Sequence, residues 1–195
     1  MNEKGKAPPS DEDLIRAALG GDEGAFRELM ERYKNRAFGV AVGITGDADE
    51  AMDVVQDSFV KAYYNLKEFR FGANFYTWFY RLLVNQAIDR WRKASRSRTV
   101  PLDDRWLSGE ATSPEAAHPR TPEELARNRE LSEALTRAVA ALPEYHRAVI
   151  LLREVEGLAY EEIAEVLNCS VGTVMSRLHY ARAKLKEALK EFKEG

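Results

Sequence analysis

The sequence predicts an all-α fold of two helical domains joined by a flexible acidic linker, and three observations carry that expectation. Apolar residues recur at steps of three and four along most of the chain, the period of helices that bury one face. A proline-rich, acidic stretch over residues 99–124 interrupts them. Near the C-terminus a short helix, the break Asn168-Cys169-Ser170 and a longer basic helix follow one another in the order of a helix-turn-helix. The expected units are a disordered N-terminus over 1–10, a first domain over 11–98, the linker over 99–124 and a second domain over 125–195.

A chain of 195 residues is long enough for two proper cores. With 45% apolar and 31% charged residues it has a globular composition. No apolar run reaches the roughly eighteen residues a membrane span needs, so no direct membrane insertion is expected. The polar first residues lack the apolar core of a secretory signal, and a cytoplasmic location is expected. Cys169 is the sole cysteine and has no Cys or His neighbour at metal-ligand spacing, so packing in the turn is its expected task.

Taken in order, residues 11–19 begin with acids and end at Gly20-Gly21, as the helix macrodipole favours. Asp22 then caps a longer helix whose stripe is Phe26, Leu29, Met30, Tyr33, Ala37, Val40 and Ala41, with Gly46-Asp47 as the next break. Residues 47–57 carry five acids and no base, while Met52, Val55, Phe59 and Ala62 are expected to point inward. That leaves Asp53, Gln56 and Asp57 on an acidic outer surface, either an ordinary solvated face or a docking site. Without a histidine nearby these carboxylates do not make a metal site, and no metal or other cofactor is expected.

Residues 69–91 hold eight aromatics, more than one helix face buries. Arg81, Arg90, Arg92, Lys93, Arg96 and Arg98 then follow against the single Asp89. Aromatics beside a basic stripe suit a surface that stacks on unpaired bases and holds their phosphates. Phe75, Phe79 and Leu82 are expected in the core. In the second domain Pro122 opens a helix with Leu131, Leu135, Ala138 and Val139 inward, and Pro143 opens another that buries Val149 to Leu152. The last helix has the apolar stripe Val171, Val174, Leu178, Ala181, Leu185 and Leu189. Its other side carries Thr173, Ser176, His179 and Tyr180 on one face, with Arg177, Arg182, Lys184 and Lys186 and no acid from 171 to 186. Such a helix suits a DNA major groove.

Taken together these segments resemble the extracytoplasmic-function (ECF) group of the bacterial sigma-70 family of RNA polymerase sigma factors, along nearly the whole chain. The resemblance is carried by Asp53-Val-Val-Gln-Asp-Ser-Phe-Val-Lys-Ala-Tyr63 and Phe75-Tyr-Thr-Trp-Phe-Tyr-Arg-Leu-Leu-Val-Asn-Gln-Ala-Ile-Asp89 in the first half. In the second half Leu142-Pro-Glu, Gly157-Leu-Ala-Tyr-Glu-Glu-Ile-Ala and Gly172-Thr-Val-Met-Ser-Arg-Leu carry it.

The resemblance implies an alternative sigma factor with no catalysis of its own, which binds core RNA polymerase and promoter DNA. Asp53, Gln56 and Asp57 match the surface that docks on the clamp helices of the largest polymerase subunit. Asn85 and the loop holding Phe69, Phe71 and Phe75 match the pocket for a flipped base of the minus-10 element. Trp78 and the basic residues Arg90, Arg92 and Lys93 match the strand-separating region. For the minus-35 element, Met175, Ser176, His179 and Tyr180, with Thr173 on the same face, match base-facing positions, and Arg177, Arg182 and Lys184 match phosphate contacts. An anti-sigma protein, often membrane-tethered, is the further partner the resemblance implies. Three places depart from the family pattern: Phe71 precedes Gly72 where a glycine usually follows Phe69-Arg70, Met175 occupies a place often held by Lys or Arg, and Ala159 replaces a commonly polar helix cap. A stand-alone helix-turn-helix regulator is the other reading, but it leaves the aromatic and basic stretch over 69–98 without a purpose.

Overall fold

The computed structural model describes residues 8–97 and 121–193, and every regular element among them is helical. The greater part of the expected linker over 99–124, together with Arg98, lies outside the described residues. Helix α1 (Asp11–Leu19) is capped by Ser10, whose hydroxyl accepts the Asp13 N–H while the Asp13 carboxylate returns to the Ser10 N–H. This reciprocal box satisfies two backbone donors that a helix start leaves open. Helix α2 (Glu23–Thr45) starts at Asp22, which accepts from Gly24 and Ala25, and stops at Gly46 in the left-handed conformation. Helix α3 (Ala48–Asn65) starts at Asp47, and α4 (Phe75–Ser97) follows after the loop 69–74.

The first four helices share an aromatic core. Phe59 of α3 stacks on Phe79 of α4 at 4.4 Å, and Tyr33 of α2 meets Phe75 and Phe79 at 5.6 and 6.5 Å. One face of α4 could not bury all its rings. It does so because α4 is covered twice, by α2 and α3 on one side and by the C-terminal helices on the other. Tyr76 and Tyr80 consequently join Phe75 and Phe79 in the core.

The C-terminal unit comprises α5 (Pro122–Ala140), α6 (Glu144–Ile150), which runs into a π-helical turn (Leu151–Val155), α7 (Tyr160–Val166) and α8 (Val171–Ala188). Val149, Ile150 and Leu152 are buried as expected, while Leu151 is half-buried. Val174, Leu178 and Ala181 seat α8 in this core, and Ser170 caps it by accepting the Thr173 N–H. Ala159 gives α7 no side-chain acceptor, yet half of a capping box survives: the Glu162 carboxylate accepts the Ala159 N–H at 2.8 Å.

Three expectations change. Met52, placed in an inward stripe, is 54% exposed, because α3 buries the face of Ala51, Val54, Val55, Ser58 and Phe59, and Met52 lies just outside it. Leu131 and Leu135 of α5 are exposed as well, since α5 lies along the outside of the unit against α8 and turns only part of its apolar surface inward. The C-terminal end of α2, finally, is buried all round at residues 40–46, where a single inward stripe was expected.

That last burial arises because the two units pack directly on one another. Gly43 faces Leu151 so closely that a Cβ there would lie 2.6 Å from a leucine methyl. Ion pairs follow the seam: Arg92 to Glu144 at 2.9 Å, and Arg36 to Glu156 at 2.9 Å. The Glu156 side chain is only 3% exposed, and its carboxylate also accepts the hydroxyls of Tyr76 and Tyr80. A buried carboxylate needs such a set of donors to offset its lost hydration. Burial, with Glu156 adding to it, pushes both tyrosine hydroxyls well above their ordinary range, so they remain donors at any physiological pH.

Candidate functional site

Three exposed surfaces collect the residues singled out by sequence. The first is the outer strip of α3, where Asp53, Gln56 and Asp57 stand together one turn apart. Asp53 is braced by Arg90 of α4 at 2.5 Å, and Arg90 also touches Glu50. Beside the carboxylates lie Met52 and Val60, each more than half exposed. Sequence reasoning missed this apolar margin. The signal was present in Val60, an apolar residue out of phase with the buried stripe.

The second surface is a cleft of about 780 Å³ between the loop after α3 and the start of α7. Asn74, Thr77, Trp78 and Arg81 form one wall, and Glu162 and Glu165 of α7 face them. Trp78 is half-buried and packs edge-on against Phe69 at 5.7 Å. Phe69 and Phe75 are buried at 5% and 2% exposure, so they hold the loop and Phe71 alone offers its ring to solvent. Asn85 is exposed on α4 two turns beyond Trp78, on the same face. Of the basic residues, Lys93 is exposed, whereas Arg92 is drawn to Glu144 and lies 5.3 Å over the Tyr145 ring.

The third surface is the outer side of α8. Met175, Ser176 and His179 are exposed there, with Lys186 two turns further on. Thr173 is half-buried and engaged with Ser170 at 2.9 Å. The flanks turn toward neighbours: Arg177 lies over Tyr145 at 4.7 Å, and Tyr180 packs on His146 at 4.7 Å. Arg182 pairs with Glu154 at 2.6 Å and Lys184 with Glu187 at 2.9 Å. Cys169 is half-buried in the turn, where its sulfur accepts from Arg177 at 3.8 Å.

Beneath Tyr180, burial and the Arg177 guanidinium hold the His146 imidazole below its ordinary value. The unfolded chain therefore takes up this proton more readily than the folded one, and stability is lost as pH falls through the ordinary histidine range. The thermal midpoint should fall between about pH 7.5 and about pH 5.5, and His146→Gln should reduce that fall. Identical pH profiles for the two proteins would contradict the assignment.

Among the described residues no cluster of His, Cys, Asp and Glu could hold a metal ion, and no helix is long and apolar enough to cross a membrane. The described residues thus present a carboxylate strip, a cleft in which Trp78, Arg70 and Arg81 face glutamates, and a helix-turn-helix.

Comparison with known proteins gives the same division. The model of Sigma-70 region 2 matches residues 29–97, and that of Sigma-70, region 4 matches residues 132–185. The chain is 36% identical over 183 residues to RNA polymerase sigma-H factor of Pseudomonas aeruginosa, covering 92% of this chain and 93% of that protein. It is 36% identical over 177 residues to the ECF RNA polymerase sigma-E factor of Escherichia coli K12, covering 89% and 91%. With ECF RNA polymerase sigma factor SigW of Bacillus subtilis it shares 32% identity over 185 residues, covering 91% and 95%. Among solved structures, CnrH in complex with the cytosolic domain of CnrY superposes with a TM-score of 0.68 at 26% identity, over 94% of this chain and 99% of that one. Helical architecture, both region models and full-length relatives above 30% identity agree: the chain belongs to the ECF group of the sigma-70 family, an alternative sigma factor, not an enzyme, that directs RNA polymerase to promoters.

Proposed function

We propose that the three surfaces divide the work of promoter recognition. Residues 11–98 form the domain that docks on core polymerase and opens the minus-10 element, and residues 125–195 form the domain that reads the minus-35 element, with 99–124 as the link. The outer strip of α3, with Asp53, Gln56 and Asp57, grips the clamp helices of the largest subunit. The cleft at Trp78 takes an unpaired base, with Phe71 at its rim, and Asn85, two turns further along the same face of α4, meets the same opened strand. On α8, Met175, Ser176 and His179 face bases in the major groove, while Arg182 and Lys184 swing from their surface ion pairs to phosphates. Such exposed pairs are worth about 0–1 kcal/mol, so exchanging them for phosphate contacts costs little.

The observation that carries this reading is the cleft itself. It combines a tryptophan face, the Asn74 side-chain amide and the cations Arg70 and Arg81, the groups that stacking on single-stranded bases calls for, beside the carboxylates of Glu68, Glu162 and Glu165. Unstacking a step costs roughly a few kcal/mol, and each captured base returns about 1–3 kcal/mol. Several captured bases and the polymerase are therefore needed to open a duplex.

Asn85→Ala tests the pocket. Holoenzyme carrying it should form open complexes at least tenfold more slowly while its initial closed-complex affinity changes little. Equal loss at both stages would show that Asn85 does not act on the opened strand.

Partner control is proposed on similar grounds. CnrH was solved with the cytosolic domain of CnrY bound, which supports an anti-sigma partner for this chain, acting in the cytoplasm and covering the same surfaces. Glu162 and Glu165 stand across the cleft where a strand's phosphates would pass, so α7 has to move aside before a base is captured.

A further inference from the structure

Helix α1 has no task in the scheme above, yet it holds the rim of the cleft. Two of its side chains, one turn apart, reach the loop after α3. Glu12 accepts the Gly72 N–H at 2.9 Å. Gly72 has φ +90, a conformation that few side-chain-bearing residues adopt, and the carboxylate fixes the direction of that peptide. The Arg16 guanidinium lies 4.3 Å over the centroid of the Phe71 ring. Arg16 is in turn held by Glu12 at 3.7 Å.

Phe71 is thus gripped on one face by a cation and at its edge by Phe69, whose ring stands at 81° to it and 5.9 Å away. The rest of the ring is in solvent, at 43% exposure of the residue. An exposed phenylalanine on a glycine-containing loop would otherwise sample several rotamers and lose that freedom on binding. Fixing it beforehand removes the loss, and a guanidinium on the far face leaves the near face open for a base.

We infer that α1 belongs to the base-reading site: Phe71 is a stacking platform for an unpaired base of the non-template strand, and Glu12 and Arg16 are positioning residues that set which base the loop accepts. This rests on the reading of loop 69–74 as the capture site. The alternative is that Glu12 and Arg16 merely staple α1 to its neighbours. A staple affects stability at every promoter alike, whereas a positioning residue changes the ratio between bases.

The test uses the full chain assembled with core polymerase and a set of promoters carrying each base at each non-template position of the minus-10 element, scored by open-complex formation. Arg16→Ala and Glu12→Ala should flatten the preference at one or two adjacent positions by about fivefold or more, with affinity for core unchanged. Glu12→Gln, which keeps an acceptor for the Gly72 N–H, should preserve it. An unchanged preference, or a loss equal for all bases, overturns the inference. Phe71→Ala separates the two layers. If it weakens binding of single-stranded minus-10 DNA while the α1 variants leave preference intact, only the role of α1 falls. If it leaves capture untouched, the loop reading falls with it.

Discussion

Replacing Arg147 with alanine should lower the stability of the protein by at least about 3 kcal/mol, although the residue touches neither DNA nor polymerase in the proposed scheme. Its side chain is 2% exposed. The guanidinium donates to the carbonyls of Val139, Ala140 and Leu142 at the C-terminal end of α5, and to that of Ile44 near the end of α2 at 2.6 Å. The Trp91 ring lies 5.1 Å away. Helix C-termini leave several carbonyls without donors, and a cation there also meets the negative end of the dipole. One side chain therefore closes two helices from different units.

Burial pushes the Arg147 guanidinium down to about 10, which leaves it charged at neutral pH. Alanine would strip these buried carbonyls of their donor, at about 1–3 kcal/mol for each one that water does not reach. For a chain of this size the thermal midpoint should fall by roughly 6–12 °C. Arg147→Lys should recover only part of this, because an ammonium cannot span the same fork of acceptors. A midpoint within about 2 °C of the parent would mean that the two helix ends are satisfied without Arg147.

Reversing the charge of the α3 strip should act on binding and leave the fold alone. Asp57→Lys changes an exposed residue, where substitutions usually stay within about 0.5 kcal/mol of neutral. Asp53→Lys also loses the pair with Arg90, whose partner side chains are 61% and 38% exposed, so that loss is small as well. At a charged interface the same reversal turns attraction into repulsion, which costs several kcal/mol. The double variant should bind core polymerase at least a hundredfold more weakly at low salt, with an unchanged thermal midpoint. Binding within threefold of the parent would remove the docking role of this strip. Met52 and Val60, flanking it, should matter too, with a weaker dependence on salt because their contribution is apolar.

The contrast between these two predictions reflects what a sequence can express. Helix existence, the cap at Asp22, the acidic strip and the helix-turn-helix were legible because they depend on local spacing, and the breaks at Gly20-Gly21 and Gly46 fell where expected. Arg147 was overlooked as a charge set directly against the apolar run over 148–152. Such a charge signals a buried network, but its partners lie as many as 103 residues away. The same holds for Glu156, whose donors come from α2 and α4.

Site residues were legible by type and less so by orientation. Spacing put Phe69, Phe71 and Phe75 in one aromatic group, yet of these only Phe71 faces solvent, because α4 is covered by α2 and α3 on one side and by the C-terminal helices on the other. Arg90, Arg92 and Arg182 read as free cations along the chain, and each meets an acid 28 to 52 residues away. Lys184 and Glu187, three apart on one helix, could have been paired by spacing alone. Glu12 and Arg16 carry no motif, and only the folded loop reveals what they hold.

Run-off transcription with core RNA polymerase over a promoter library tests the central claim most directly. Addition of the purified chain should give transcripts with defined 5′ ends from templates sharing a minus-35 and a minus-10 element, and the double Asp53, Asp57 reversal should abolish them at protein concentrations that saturate the parent. Core enzyme that starts at the same scattered positions with and without the chain would contradict it.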